Sequence, residues 1–177
     1  MRTETRKIYK FSELSESTQS RAIETYRTSD FTIIYPWHDE AWQSIQESTR
    51  TLPFTVREAD YDRRYTKHTI TLDDDVANLT GTRAWKWLHN NGFFDPKLIS
   101  GNCPFTGYSM DEDILDPIRE AHTSPASIRS LEQLFHDCIS SWLFAVCADI
   151  EYFYTDEAIA ETLDADEYEY LVDGTEV

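Results

Sequence analysis

The sequence is poor in residues that make long flexible connections, with five glycines and six prolines among 177 residues. Its three cysteines, Cys103, Cys138 and Cys147, are an odd number without metal-ligand spacing, so we expect reduced thiols in a cytoplasmic protein. No apolar run approaches the roughly 18 residues that span a bilayer, and residues 1–10 lack the apolar segment of a secretory signal. These shortages favour one compact domain over residues 1–177 that does not contact a membrane.

Basic residues are also scarce. The chain has 16 Lys and Arg against 33 Asp and Glu, which gives a formal net charge of −17. Such a charge repels nucleic acid, itself a polyanion, so we expect no direct binding of DNA or RNA. Basic proteins are the expected partners, including the nucleic-acid-binding faces of other proteins. Aromatic residues make up 14% of the chain, which is too many for a disordered acidic segment.

The apolar periodicity predicts an α+β fold, with several helices packed on a small antiparallel sheet. Helices are predicted over residues 16–28, 36–50, 82–90, 111–121, 127–154 and 156–164. Strands are predicted over residues 7–11, 54–60, 65–72 and 168–172. The long helix over about 127–154 has the clearest signal, because apolar residues recur every three or four positions from Ile128 to Phe153.

The tryptophans are predicted mainly to be core residues. Trp37, Trp42 and Trp85 fit buried helix positions better than a ligand-binding box. Trp87 lies two residues after Trp85, so on a helix it points elsewhere, and we expect it to be partly exposed.

The acids are concentrated at the C-terminal end of the sequence. Residues 149–177 contain eleven acids and no Lys, Arg or His, so they carry −11 of the net −17. One interpretation is a solvated face with an acidic tail. The other is a folded partner-binding surface, in which ordered carboxylates with aromatics between them imitate the phosphates of a duplex. Its candidate residues are Asp149, Glu151, Asp156, Glu157, Glu161, Asp164, Asp166, Glu167, Glu169 and Asp173.

No catalytic, cofactor or metal motif is recognisable. The runs Asp73–Asp75 and Asp111–Asp113 have the oxygen ligands of a hard-metal site, but both precede predicted helices and fit helix capping better. Four residues of zinc-ligating types lack any close pairing: Cys103, His122, His136 and Cys138. Because no P-loop, G-x-S-x-G or G-x-G-x-x-G is present, we expect a protein that is not an enzyme. An enzyme with a spatially assembled site stays an alternative.

Several short segments, in this order along the chain, resemble a family of small phage and prophage proteins sometimes labelled antitoxin-like. They are Tyr9–Ser15, Ala22–Glu24, Phe105–Tyr108, Asp111–Leu115, Asp156–Ile159, Glu161–Leu163, Glu167–Tyr170 and Asp173–Gly174. The resemblance implies a phage-related origin and action in bacterial cytoplasm, and it brings no catalytic residues.

Charge and resemblance together predict an anti-defence inhibitor that is not an enzyme. Such a protein would bind a host nucleic-acid-binding defence protein, such as a CRISPR effector or a restriction enzyme, through its acidic C-terminal region. The alternative is an antitoxin or regulator that docks on a protein partner through apolar contacts.

Overall fold

The computed structural model describes residues 7–29, 36–62, 65–101, 104–106, 110–166 and 168–177. Within these ranges, eight α-helices accompany two antiparallel sheets of two strands each. This α+β architecture is the one that the apolar periodicity predicts. None of the helices in the described ranges combines the length and the hydropathy that a bilayer crossing requires.

Helices and strands are interspersed along the chain. The strands are β1 (Tyr9–Lys10), β2 (Thr55–Asp62), β3 (Tyr65–Thr71) and β4 (Glu169–Tyr170). The helices are α1 (Glu16–Thr28), α2 (His38–Thr51), α3 (Asp74–Ala77), α4 (Gly81–Asn90), α5 (Pro96–Ile99), α6 (Met110–Thr123), α7 (Leu131–Phe153) and α8 (Asp156–Ala165). Short 3₁₀ turns lie at Phe11–Glu13 and Pro125–Ser127.

Local signals place most helix ends close to where the sequence predicts them. Helix α1 has the predicted bounds. Helix α4 ends before Gly92, whose φ of 80° is a conformation that glycine adopts without strain. The stretch after Gly92, where the sequence predicts neither a helix nor a strand, contains the short helix α5. There Pro96 occupies the first turn and the Asp95 carboxylate accepts the Lys97 N–H at 2.8 Å, so a proline and a cap start the helix together.

Helix α7 begins later than the predicted position, residue 127. Pro125–Ser127 form a separate 3₁₀ turn. The Ser130 hydroxyl then accepts the Gln133 N–H at 3.0 Å, as an N-cap does. Ile128 belongs to the apolar periodicity but is buried outside the helix, where its carbonyl accepts the Gly81 N–H at 2.9 Å.

The chain divides into two compact units. The smaller unit is formed by Met1–Tyr35 with Ile150–Val177, and the larger unit is Pro36–Asp149. Helix α7 belongs to the larger unit except for its last residues, from Ile150 onward. The expected single domain over residues 1–177 stays a prediction.

The smaller unit is held together by segments from opposite ends of the sequence. β1 pairs antiparallel with β4, so that Tyr9 lies opposite Tyr170 and Lys10 opposite Glu169. The buried members of its core are Phe11, Leu14, Ala22, Ile23, Ile159, Leu163 and Tyr170. Burial of each large apolar side chain contributes about 1.5–3 kcal/mol, so this core fixes which faces of α8 and β4 remain exposed.

The larger unit has the buried stripe of α7 at its centre. The stripe consists of Leu131, Leu134, Phe135, Cys138, Ile139, Trp142, Leu143 and Val146. Aromatic contacts attach other segments to it: the ring centroid of Phe54 lies 5.3 Å from that of Phe135, and the ring centroid of Trp42 lies 5.6 Å from that of Trp142. Burial raises the pKa of the Cys138 thiol well above its ordinary value, so this cysteine is a neutral core residue.

One predicted core tryptophan is on the surface. Trp37 is 52% exposed because α2 begins only at His38, so Trp37 precedes the helix and does not share its buried face. Trp42 and Trp85 are partly buried. Trp87 is partly exposed, as predicted, and its ring stacks on that of Phe93 with the centroids 5.5 Å apart.

Candidate partner-binding surface

Helix α8 carries the densest group of candidate acids, and Thr155 fixes where it starts. The Thr155 side-chain oxygen accepts the Ala158 N–H at 3.3 Å, and its hydroxyl donates to the Tyr152 carbonyl at 2.7 Å. Thr155 therefore ends α7 and caps α8, as the sequence predicts. The buried side of α8 is formed by Ala158, Ile159 and Leu163.

The opposite side of α8 presents Glu157, Glu161 and Asp164 to solvent. At 3.6 residues per turn these side chains project within about 60° of one another. They lie three or four residues apart, which spaces them by about 5 Å along the helix axis. Asp166 follows the helix and is also exposed, but it lies about half a turn away from Glu157 around that axis. A single strand of B-DNA carries one phosphate per about 3.4 Å of duplex axis, so the row on α8 is less densely charged than such a strand. Among the described residues, none of these four carboxylates forms an ion pair.

These acids occupy positions that lower the stability of the helix. Glu157 and Glu161 are like charges at i,i+4, a spacing that costs a few tenths of a kcal/mol. Asp164 lies in the last turn of α8, where the unpaired carbonyls already form a negative pole. Glu157 lies in the first turn, where the positive pole of the helix favours an acid, so the unfavourable positions are those of Glu161 and Asp164, which a cationic partner would stabilise.

Asp156 differs from its neighbours because it has a basic partner within the smaller unit. The Arg27 guanidinium pairs with Asp156, and it also donates to Glu24 at 2.7 Å and to the Tyr154 carbonyl at 3.1 Å. The hydrogen bond to Asp156, followed by that to Glu24, raises the pKa of Arg27 above its ordinary value. Asp156 thus helps to attach α8 to α1, and it has less charge to offer a partner than the sequence predicts.

Exposure alternates between acids and tyrosines around strand β4, in the part that the structure describes. Glu169 is exposed, whereas Tyr170 is buried and Tyr168 is half-buried. Glu167, another candidate acid, lies outside the described residues. Glu151, at the end of α7, is also exposed.

Two other candidate acids have local partners of their own. Asp173 is exposed, and its carboxylate accepts the Thr175 N–H at 3.0 Å, which holds the pKa of Asp173 below its ordinary value. Asp149 belongs to the larger unit and is half-buried. Burial raises the pKa of Asp113 to about 6, and the charges of Asp116 and Asp149 add to this effect. Asp149 therefore does not belong to the exposed group on α8.

The acid run that starts α6 does more than cap the helix. Asp111 is fully buried, and its carboxylate accepts hydrogen bonds from the Phe105 N–H at 2.8 Å and from Thr106. The Thr106 N–H lies 2.6 Å and its hydroxyl 2.9 Å from the carboxylate oxygens. Asp111 thus holds the segment 104–106, a role that its place in an acidic run does not reveal.

The zinc-type residues are not assembled into a metal site in the described part of the chain. No group of three or more His, Cys, Asp or Glu side chains there is placed to hold an ion. Cys103 lies outside the described residues. His136 contacts another histidine, with its Nδ1 3.0 Å from Nε2 of His68. One nitrogen of this contact has to be a donor and the other an unprotonated acceptor.

We expect the His68–His136 pair to make the stability of the larger unit depend on pH. Burial, followed by the charge of His136, lowers the pKa of His68 below 6.5 in the folded state. The unfolded state then binds more protons as the pH falls below 6.5, so the free energy of unfolding decreases from there down to the folded pKa. Urea unfolding should show a smaller decrease in the free energy of unfolding between pH 7 and pH 5 for His68→Asn than for the wild type.

The matched control for this prediction is His122→Asn, at an exposed histidine of the same unit. It should keep the wild-type pH dependence. An equal pH dependence in the wild type and in His68→Asn would contradict the assignment to the pair.

Comparisons of the chain with protein-family models, with curated proteins and with solved structures give no match. The resemblance to small phage proteins therefore stays a prediction.

Proposed function

We propose that the protein is a non-enzymatic inhibitor that binds a basic nucleic-acid-binding protein of a bacterial host. Its target would belong to a defence system, such as a CRISPR effector or a restriction enzyme. The acidic face of α8 and β4 would occupy the site that normally holds the nucleic acid backbone.

The observation that carries this proposal is the exposed row of Glu157, Glu161 and Asp164. The row presents carboxylates on one face of a helix whose other side is buried and apolar. A mobile acidic tail would have to lose backbone entropy on binding, whereas the backbone that carries these carboxylates is already helical. The proposal therefore predicts competition with nucleic acid for one basic site.

Electrostatics also sets the expected dependence on salt. The row lies at the surface, so its attraction for Lys and Arg side chains is screened over about 8 Å at physiological ionic strength. Such contacts raise association rates and fix which surfaces meet. Binding should therefore weaken steeply as salt is added.

The part of the proposal that concerns host defence is supported by the sequence alone. The segments Tyr9–Ser15 and Asp156–Ile159 are among those that resemble small phage proteins. A phage protein acting in the host cytoplasm meets defence proteins whose nucleic-acid channels are basic. The link to host defence is therefore an analogy with other small phage proteins.

The experiment that tests the proposal is capture from bacterial lysate followed by competition. The immobilised full-length protein is exposed to lysate, and bound proteins are eluted with a short DNA duplex at constant ionic strength. We expect the duplex to release a basic nucleic-acid-binding protein, because both ligands occupy one site. A neutral polymer at the same concentration should release nothing.

Captured proteins that withstand both the duplex and high salt would overturn the proposal. That result would favour the second candidate, apolar docking of a partner protein. Phe144 on α7 supports this alternative, because it is 70% exposed. The variant Phe144→Ser should abolish capture if docking is apolar, and should leave capture unchanged if the acidic face is responsible.

A further inference from the structure

The smaller unit contains a cleft of about 390 Å³, a volume typical of small-ligand sites. One wall is formed by α1 and the other by β4 with the C-terminal turn. Its lining includes Arg21, Tyr26, Tyr168, Tyr170, Asp173 and Glu176. The cleft is separate from the outward row of acids on α8, none of which lines it.

The C-terminal turn fixes the shape of the cleft. The Leu171 N–H donates to the Thr175 carbonyl at 2.8 Å, and the Val177 N–H donates to the Glu169 carbonyl at 3.0 Å. Gly174 has a φ of 84°, and a Cβ at this position would lie 2.8 Å from the Thr18 side chain. The turn can therefore approach α1 closely only because residue 174 is glycine.

Three tyrosines give the cleft aromatic walls. The ring of Tyr26 meets that of Tyr168 edge to face, with the centroids 6.3 Å apart. Burial, followed by the charge of Glu176, raises the pKa of Tyr170 to about 12, so its phenol remains neutral. Tyr26 and Tyr168 are both half-buried, which leaves part of each ring open to the cleft.

The charges of the lining are predominantly negative. Arg21 acts on Asp173, whose pKa it helps to lower after the larger effect of the Thr175 hydrogen bonds. Among the described residues, Glu176 forms no ion pair, so its carboxylate is available to a ligand. Aromatic faces beside an unpaired carboxylate are the surroundings that a guanidinium prefers, since it can stack on a ring and donate to the carboxylate at once.

We infer that this cleft binds the side chain of an arginine presented by a protein partner. The guanidinium lies against the rings of Tyr26 and Tyr168 and donates to Glu176. The inference deepens the proposed function and rests on it for the identity of the partner. A basic nucleic-acid-binding site offers arginines, and one of them would anchor the complex in this cleft.

The test uses the isolated full-length protein and a small probe, N-acetyl-L-arginine methylamide. Its titration is followed by the amide NMR shifts of Gly174, Thr175 and Glu176. We expect saturable shifts in these residues, and binding about fivefold weaker for the citrulline analogue, which has the same shape without the charge. Glu176→Gln should weaken arginine binding by about fivefold, whereas Glu120→Gln, at an exposed acid of the larger unit, should not change it.

Equal affinities for the arginine probe and its citrulline analogue would overturn the inference. So would amide shifts confined to residues outside the cleft, or tighter binding of N-acetyl-L-glutamate methylamide than of the arginine probe. Tyr168→Leu should also weaken arginine binding, but Glu176→Gln keeps the test decisive if the tyrosine variant fails to fold. No host protein is needed for this titration. Its failure therefore leaves the competition between lysate proteins and DNA as a separate result.

Discussion

Reversal of two charges on α8, Glu161→Lys with Asp164→Lys, should weaken binding of the captured partner by about 100-fold at physiological salt. Each reversal replaces an attraction to a basic surface with a repulsion, and juxtaposed like charges cost several kcal/mol at an interface. Isothermal titration or surface plasmon resonance with the purified partner measures the loss. The difference from the wild type should shrink as salt is raised, because the screening length shortens.

The same substitutions should leave the fold intact, and this separates binding from stability. The lysine introduced in place of Glu161 would form a favourable i,i+4 pair with Glu157. The lysine introduced in place of Asp164 would lie at the negative pole of the helix. We therefore expect a melting temperature equal to or slightly above that of the wild type. A loss of binding that accompanied unfolding would not support the proposal.

The matched control reverses two exposed acids of the larger unit, Asp60→Lys with Glu120→Lys. The change in net charge is the same as in Glu161→Lys with Asp164→Lys, so a difference in binding between the two variants reports where the charges lie and not how many there are. It should keep binding within about twofold of the wild type, since the substituted residues do not belong to the α8 face. Equal losses in the two variants would mean that only the net charge matters, and the acidic row would not be the binding surface.

The sequence predicts the helices of this protein well because their signals are local. The bounds of α1 and the cap of α8 at Thr155 depend on residues within one turn of the helix end. The pairing of β1 with β4 has no such signal, because each strand is two residues long and nothing in its sequence specifies the register. Trp37 illustrates a different limit. The predicted helix starts two residues before α2 does, and Trp37 therefore lies on the surface and not on the buried face of the helix.

The candidate surface could be predicted in composition but not in detail. Exposure of Glu157, Glu161 and Asp164 follows from charge and helical periodicity. The pairing of Asp156 with Arg27 could not be predicted, because the two residues are 129 positions apart. The sequence does not predict the cleft of the smaller unit for the same reason, since the cleft forms only when the two ends of the sequence meet. A sequence signal for it does exist in the alternation of Tyr168 and Tyr170 with acids.

Substitution of Asp111 should produce the largest loss of stability among single acids of the larger unit. Its carboxylate accepts three hydrogen bonds from Phe105 and Thr106, and the residue is fully buried. Asp111→Ala would leave two backbone N–H groups and a hydroxyl without this acceptor. Because hydrogen bonds to a charged group contribute more than neutral ones, we expect a loss of about 3 kcal/mol and a melting temperature lower by about 10 °C.

The graded variant Asp111→Asn separates the hydrogen bonds from the charge. Asparagine keeps one acceptor oxygen, so it should lose about half as much stability as alanine does. Glu120→Ala, at an exposed acid of the same helix, should stay within about 0.5 kcal/mol of the wild type. If Asp111→Ala unfolded at the wild-type temperature in calorimetry, the segment 104–106 would not depend on this carboxylate. Asp111 lies in the larger unit, so the Asp111→Ala variant should still bind through the acidic row on α8 at temperatures where it is folded. Binding and stability are therefore independent readouts.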